Sequence, residues 1–249
     1  MLKNEREQEI LTMLQGNGYL TVRQLSEMLY TSESTVRRTL AALEQDGCIK
    51  RSYGGAEPLA KTSYAPSFNT RSHQNPEAKR IIARKAAQLV SDGSIIFLDQ
   101  SSTAFYLAQE LLGKQDLTVM TNNLEILALL SQTDFTVFST GGRLSTRNRT
   151  CLIDAEAERA FAGIYAELAF FSTKSLSTDG VISDFNRDEI AVRNAMLRNA
   201  DKKVYLCDST KFHTRSPYRQ CSLAEVDYMV SESPDAQQYR QQFSKLQFV

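Results

Sequence analysis

The sequence predicts an α/β protein in two parts: a helical head closed by a short extended hairpin, then a larger, mostly parallel α/β sheet. Three observations carry this. Residues 1–47 of the 249-residue chain hold only helical apolar periodicities. Residues 57–75, EPLAKTSYAPSFNTRSHQN, lack periodicity, carry Pro, Ser and Asn, and read as linker or loosely packed loop. From Pro76 onward, apolar runs of strand length alternate with helical stretches, the pattern of a parallel sheet covered on both faces. The expected boundaries are a head at 1–56, a linker at 57–75 and an α/β domain at 76–249.

In the head, Ile10, Leu11 and Leu14 mark the apolar side of a first helix, which Gly16-Asn17-Gly18 stops. Thr21 opens a second helix with Gln24 at capping-box spacing, and Val22, Leu25, Met28 and Leu29 form its buried face. After Tyr30-Thr31, Ser32 is a good N-cap for a third helix. There Val36, Leu40 and Leu43 recur at helical spacing, and Gly47 is the expected C′ residue. CIKRSYGGA then reads as a short extended piece with a Gly-Gly turn. In the larger part, a helix over EAKRIIARKAAQLV leads into SIIFLD, and LTVMTN, FTVFST, AELAFF, KKVYLCD and DYMVSE follow as strands with helical stretches between them.

The bulk composition narrows the class. At 42% hydrophobic and 23% charged, the chain is an ordinary globular protein. Its net charge is zero, and the first sixty residues hold seven Lys/Arg and eight Asp/Glu, so any basic surface must be local. Four scattered cysteines and two histidines offer no metal-ligand spacing, so no metal and no cofactor are expected. MLKNEREQEI lacks the apolar core of a signal peptide, and no apolar run reaches membrane-spanning length. The expectation is a reduced, cytoplasmic protein with no membrane partner.

Local basic surface is found on STVRRTLAALEQDG. Beside its buried side, the third helix presents Ser34, Arg37, Arg38 and Ala41 one and two turns apart. Two arginines, hydroxyls and a small residue suit the major groove: Arg reads guanine bidentately or holds phosphate, and Ser or Thr bonds either. Lys50 and Arg51 beside the Gly-Gly turn form a basic wing, while Glu5, Glu7, Glu9 and Glu27 lie outside the third helix and wing. A small helical bundle with solvated charges is the plainer alternative. The agreement of caps, helix–turn–helix spacing, wing and arginines favours a winged helix-turn-helix that binds double-stranded DNA. Its expected contact residues are Thr21, Ser32, Ser34, Thr35, Arg37, Arg38, Lys50, Arg51 and Tyr53.

The run TSESTVRRTLAALEQDGCIKRSYGGA resembles the N-terminal signature of DeoR-type bacterial transcriptional regulators, a helix-turn-helix followed by a wing ending in Gly-Gly-Ala. One departure is Thr39, where the family usually has an acid; this is expected to alter backbone contacts or operator preference. The resemblance continues through FLDQSST, TVMTNN, STGGR and LCDSTK, and so covers nearly the whole chain. It implies a second domain like ribose-phosphate isomerase that senses a phosphorylated sugar or related metabolite, in a homodimer or homotetramer, commonly a repressor of sugar or related carbon-metabolism genes.

Each of those four landmarks follows an expected strand, where open parallel sheets bind ligands. The expected effector residues are Asp99, Gln100, Ser101, Ser102, Thr103, Thr121, Asn122, Asn123, Gly141, Gly142, Arg143, Lys174 and Lys211. Asp99 offers acceptors for sugar hydroxyls. Ser101, Ser102 and Thr103 open a helix, where phosphate is favoured. Thr121, Asn122 and Asn123 offer donors, Gly141 and Gly142 allow close approach, and Arg143 and Lys211 bring charge. Asp99 and Asp208 serve equally well as helix caps, Asn122 and Asn123 as turn formers, and Lys174 as a solvated cation.

Departures cluster here too. Ser101 and Ser102 replace the Gly and first Thr of the family's Asp-Ser-Gly-Thr-Thr loop. Ser172 and Ser175 replace two glycines of a Phe-Ile-Gly-x-x-Gly landmark, and Cys151 aligns with another. These changes are expected to restrict backbone angles and reshape the pocket. Two other functions stay open: a sugar-phosphate isomerase using Asp99, Asp184 or Glu189 as base, though no constellation specifies a catalytic residue, and a regulator whose site has lost its ligand.

Overall fold

The computed structural model describes residues 3–45, 48–58 and 68–249. The chain divides into two compact units, Met1–His73 and Gln74–Val249.

The first unit is α1 (Lys3–Asn17), β1 (Leu20–Thr21), α2 (Val22–Met28), α3 (Glu33–Gln45), β2 (Ile49–Ser52), β3 (Gly55–Pro58) and α4 (Phe68–His73). Ile10, Leu14, Val22, Leu25, Leu29, Val36, Leu40, Leu43 and Ile49 form its core. Thr21 caps α2 in a full capping box: Gln24 N–H donates to Thr21 Oγ1 at 3.2 Å, and Thr21 N–H to Gln24 Oε1 at 2.9 Å. Ser32 Oγ accepts from Thr35 N–H at 3.3 Å at the start of α3. The wing is a three-stranded antiparallel sheet in the order β1-β3-β2. Ser52 pairs with Gly55 across a Tyr53-Gly54 turn in which Gly54 has φ +77°. A Cβ on Gly55 would lie 2.3 Å from Leu20 O, so only glycine lets β3 pack beside β1.

Two expectations change in this unit. Met28 is exposed, because it lies to the side of the Val22–Leu25–Leu29 stripe at the end of α2. The segment 57–75 is not wholly irregular. Glu57 and Pro58 belong to β3, and residues 68–73 form α4, held by burial of Phe68 and Thr70 and by Arg71 over the Phe68 ring at 5.8 Å. A helix this short shows no apolar repeat in sequence. Gly47 lies outside the described residues.

The second unit runs α5 (Pro76–Ala87), β4 (Ile95–Leu98), α6 (Ser102–Glu110), β5 (Thr118–Thr121), α7 (Leu124–Leu130), β6 (Thr136–Ser139), β7 (Arg143–Leu144), β8 (Leu152–Ile153), α8 (Ala155–Ala160), β9 (Ala166–Phe171), β10 (Ser175–Leu176), β11 (Val181–Asp184), α9 (Arg187–Arg198), β12 (Ala200–Leu206), β13 (Tyr218–Ser222), β14 (Tyr228–Val230) and β15 (Gln247–Phe248). Seven strands form one sheet in the order β15-β14-β12-β9-β4-β5-β6, and every neighbouring pair is parallel.

Alternate strand residues serve opposite faces. Ile96, Leu98, Val119 and Phe170 pack against Ile82, Ala86, Leu107 and Ile126 of α5, α6 and α7. Phe97, Phe171 and Tyr205 pack on the other side with Phe161, Val192, Met196 and Leu223. A small antiparallel sheet, β10-β11-β13, and the β7-β8 hairpin complete the unit. From β4 the chain steps outward through β5 and β6, then returns to place β9 on the other side of β4. That reversal puts the topological switch point at the carboxyl ends of β4 and β9, the usual ligand crevice of such sheets.

Candidate functional site

On α3, Ser34, Arg37 and Arg38 are exposed and Ala41 is half-buried. Ser32 Oγ sits 3.0 Å from Ser34 Oγ and 2.9 Å from Thr35 Oγ1, which gathers three hydroxyls at the helix start. Thr21 is held inside the α2 capping box. Lys50, Arg51 and Tyr53 are exposed on the wing, with Tyr53 fully open at its tip.

The acids are closer to these cations than the sequence reading had them. Arg37 Nη2 pairs with Glu33 Oε2 at 2.9 Å, Arg51 Nη1 with Glu44 Oε2 at 3.7 Å and Lys50 Nζ with Glu57 Oε1 at 3.6 Å. All are exposed pairs worth about 0–1 kcal/mol each, weak enough to exchange for phosphate. Among the described residues, Arg38 has no such pair. Thr39 also departs from expectation: it is buried and its Oγ1 donates to Thr35 O at 3.0 Å, so it faces the unit's core and not an operator backbone.

In the second unit, the expected effector loops converge at the carboxyl ends of β4 and β5, yet they are largely satisfied from within. Asp99, the expected acceptor for sugar hydroxyls, is engaged inside the protein. Its Oδ1 accepts from Ser101 N–H at 3.0 Å, and its Oδ2 from Ser172 N–H at 3.1 Å and Arg193 Nε at 3.0 Å. Arg193 also reaches Asp184 at 3.3 Å and Gln220 Oε1 at 2.8 Å. Burial opposes the charge on Arg193, but Asp99, Asp184 and Glu189 raise its pKa above the ordinary value. Gln100 Nε2 donates to Glu189 Oε2 at 3.1 Å, and Asn122 Nδ2 to Gln100 Oε1 at 3.3 Å.

Ser101 caps α6 through Ala104 N–H at 3.0 Å, and Ser102, Thr103 and Thr121 are buried. Asn123 Oδ1 caps α7, while its buried Nδ2 has no partner among the described residues. Lys211 Nζ lies 2.5 Å from Asp208 Oδ2. Gly141 and Gly142 have φ +62° and +91°, and a Cβ on Gly142 would lie 2.7 Å from Ile153 O. Arg143 and Lys174 are exposed. The three carboxylates considered as isomerase bases are all engaged: Asp99 and Asp184 by Arg193, and Glu189 by Gln100, Asn148 and Asn186.

The glycine replacements do not strain the backbone. Ser101 has φ −76° and ψ 151°, and none of Ser101, Ser172, Ser175 and Cys151 has positive φ. Each stands where any L-residue fits.

Arg193 and a cleft beside this cluster carry no strand-end motif in the sequence. The signal for Arg193 was a lone cation on the stripe Ile190, Val192, Met196 and Leu197 of α9. The cleft, of about 360 Å³, lies between the β7-β8 region and the start of α9. Arg143, Arg147, Asn186, Arg187, Asp188 and Tyr218 are among its lining residues. Among the described residues, no group of His, Cys, Asp and Glu is placed to hold a metal ion.

Residues 6–62 match the family model described as a DeoR-like helix-turn-helix domain, and residues 74–233 the one described as a DeoR C terminal sensor domain. The chain belongs to the DeoR family of transcriptional regulators. The HTH-type transcriptional regulator GolR of Listeria innocua is 35% identical over 234 residues, 94% of this chain and 92% of that one. The glycerol-3-phosphate regulon repressor of Escherichia coli is 28% identical, again over 94% of this chain and 92% of its own. Both are named as regulators of transcription. A ribose 5-phosphate isomerase from Methanocaldococcus jannaschii overlays 56% of this chain and 55% of its own at a TM-score of 0.42 and 18% identity. No helix among the described residues of this DeoR-type regulator is long and apolar enough to cross a membrane.

Proposed function

We propose that this DeoR-type protein is a repressor that grips an operator as a dimer or tetramer through α3 and the wing. It releases the DNA when a phosphorylated small metabolite occupies the sensor unit. The observation that carries the DNA half is the exposed α3 face, where Arg38 has no ion pair among the described residues and stands beside Arg37 and the hydroxyls of Ser34 and Thr35. Support for the effector half is the match of residues 74–233 to a sensor domain and the name of the glycerol-3-phosphate regulon repressor. A metabolite shifts the operator equilibrium only through unequal affinity for the DNA-competent and DNA-incompetent states.

A gel shift with DNA from upstream of the protein's own operon tests the first half. A base-reading arginine is worth about 1–3 kcal/mol, so Arg38→Ala weakens the specific complex about 5- to 150-fold. If Arg38 instead holds phosphate, the loss is uniform across sequences and the salt slope drops by about 1. Unchanged affinity and salt slope in Arg37→Ala/Arg38→Ala would remove α3 as the reading element.

A further inference from the structure

The large sheet of the second unit has two edges, and they differ. β15 at one edge is two residues long, and Arg240 lies over its Phe248 ring at 4.9 Å. β6 at the other edge has β5 as its one strand neighbour among the described residues. Thr136 N–H donates to Leu117 O at 2.9 Å and Thr140 N–H to Thr121 O at 3.2 Å. In a parallel pair, alternate residues bond to the neighbour and those between them face away. Val137 and Ser139 therefore turn their N–H and C=O groups outward.

An open edge of this kind is a template for another strand, and proteins that stay monomeric guard it with charge, proline or a bulge. Residues 135–140, FTVFST, hold neither charge nor proline, and β6 keeps an unbroken register with β5. Phe138 is 43% exposed, on the same face as its β5 neighbour Met120.

The flanking charges say which occupant fits. Exposed Asp134 precedes the strand, and exposed Arg143 follows it beyond the Gly141-Gly142 turn. Arg143 is only loosely engaged by Asp154, at 3.9 Å. An antiparallel pairing of two β6 strands sets the entry of one beside the exit of the other, so the acid of each copy approaches the arginine of the other. Parallel pairing would align acid with acid. A two-fold axis is also the closed arrangement in which one patch serves both copies. With the axis at Phe138, each Val137 exchanges both main-chain bonds with Ser139 of the second copy. The two exposed Phe138 side chains then meet at the close, non-hydrogen-bonded position, where cross-strand aromatic pairs stabilise a sheet.

We infer that two copies of this chain pair through β6, antiparallel and two-fold about Phe138, joining their sheets into one. The inference rests on the reading that the protein grips its operator as an assembly, and it names the surface that makes the assembly.

The test is sedimentation equilibrium of the full chain at tens of micromolar, where wild type has the mass of more than one chain. Phe138→Asp sets like charges across the axis and halves that mass. Tyr165→Asp, at an exposed aromatic just before β9, leaves it unchanged. Melting temperatures confirm that both variants fold. Cross-linking reads the register in a Cys48→Ser background, where the remaining thiols are buried. Oxidised Phe138→Cys forms a disulfide-linked dimer, because Cα atoms of a non-hydrogen-bonded pair lie about 4.5 Å apart, within disulfide reach. Thr136→Cys does not, since its two copies lie about 13 Å apart along the strands. Wild-type mass in Phe138→Asp, or no cross-link through Phe138→Cys in a protein that is assembled, overturns the β6 pairing and keeps the assembly reading. Wild type at single-chain mass overturns both and leaves the edge to a strand of another protein.

Discussion

Replacing Arg193 by Met probes what holds the sensor unit together at its switch point. The Arg193 side chain is 2% exposed, Asp99 is fully buried and Asp184 is 11% exposed. Removing the guanidinium leaves two carboxylates facing each other in a nearly dry site and strips Gln220 Oε1 of its donor. Breaking a buried ion pair from one side costs about 3–5 kcal/mol. Two acids lose their partner here, which places the cost at the upper end. For a unit of this size, 1 kcal/mol moves the midpoint by about 2–4 °C, so Tm falls by about 10–20 °C. The assay is calorimetric melting of the full chain, following the transition of residues 74–249. The triple variant Asp99→Asn/Asp184→Asn/Arg193→Met recovers most of the loss, because neutral groups no longer demand a counter-charge. A single Arg193→Met variant that melts within about 2 °C of wild type would refute the reasoning, since it would mean the carboxylates keep enough water to stand alone.

Two further outcomes follow from buried titrating groups. Burial opposes ionisation of Asp208, but Lys211, Thr210 and Lys79 outweigh it and hold the carboxyl down at about 2. In the unfolded chain Asp titrates near 4, so this group contributes about 2 kcal/mol above about pH 4, lost as the pH falls toward about 2. Lys211→Met removes that contribution, and its stability deficit narrows between about pH 4 and 2; a deficit that does not vary with pH contradicts the assignment. Among the thiols, Cys151, Cys207 and Cys221 are buried, burial raises Cys207, and burial with Glu225 pushes Cys221 up to about 12. Cys48 is half-buried, so a thiol reagent titrates it first and reaches the other three only as the sensor unit opens. Prompt labelling of more than one thiol would show a looser core.

The six main strands were legible because each is an apolar run bounded by polar turns; five fall within their expected segments, and β12 starts two residues before its own, at Ala200. What escaped was short or paired from afar. β15 has two residues and gains its place only by pairing with β14. The β10-β11-β13 sheet depends on partners distant in sequence. Strand order was equally hidden: nothing local tells β9 to return beside β4, yet that choice makes Asp99 and Ser172 neighbours. On the head, the caps and wing glycines announced the winged helix-turn-helix, because cap and turn chemistry is local. The pairing of Arg51 with Glu44 was not legible, since it needs the wing to fold back against α3.

The serines and the cysteine that stand where the family has glycine are engaged inside the sensor unit. Ser172 Oγ donates to Leu206 O at 2.6 Å, so it ties the end of β9 to β12. Ser175 Oγ meets Ser216 Oγ at 2.7 Å. Cys151 is fully buried, with Asn122 Nδ2 3.4 Å from its Sγ. Ser172 and Ser175 spend their hydroxyls on internal hydrogen bonds, without forcing a left-handed backbone. A glycine at those places would remove the side-chain volume and these hydroxyl bonds. With Ser172 tied to β12, its N–H donates to Asp99 Oδ2 at 3.1 Å beside Arg193 Nε, which donates to the same oxygen at 3.0 Å.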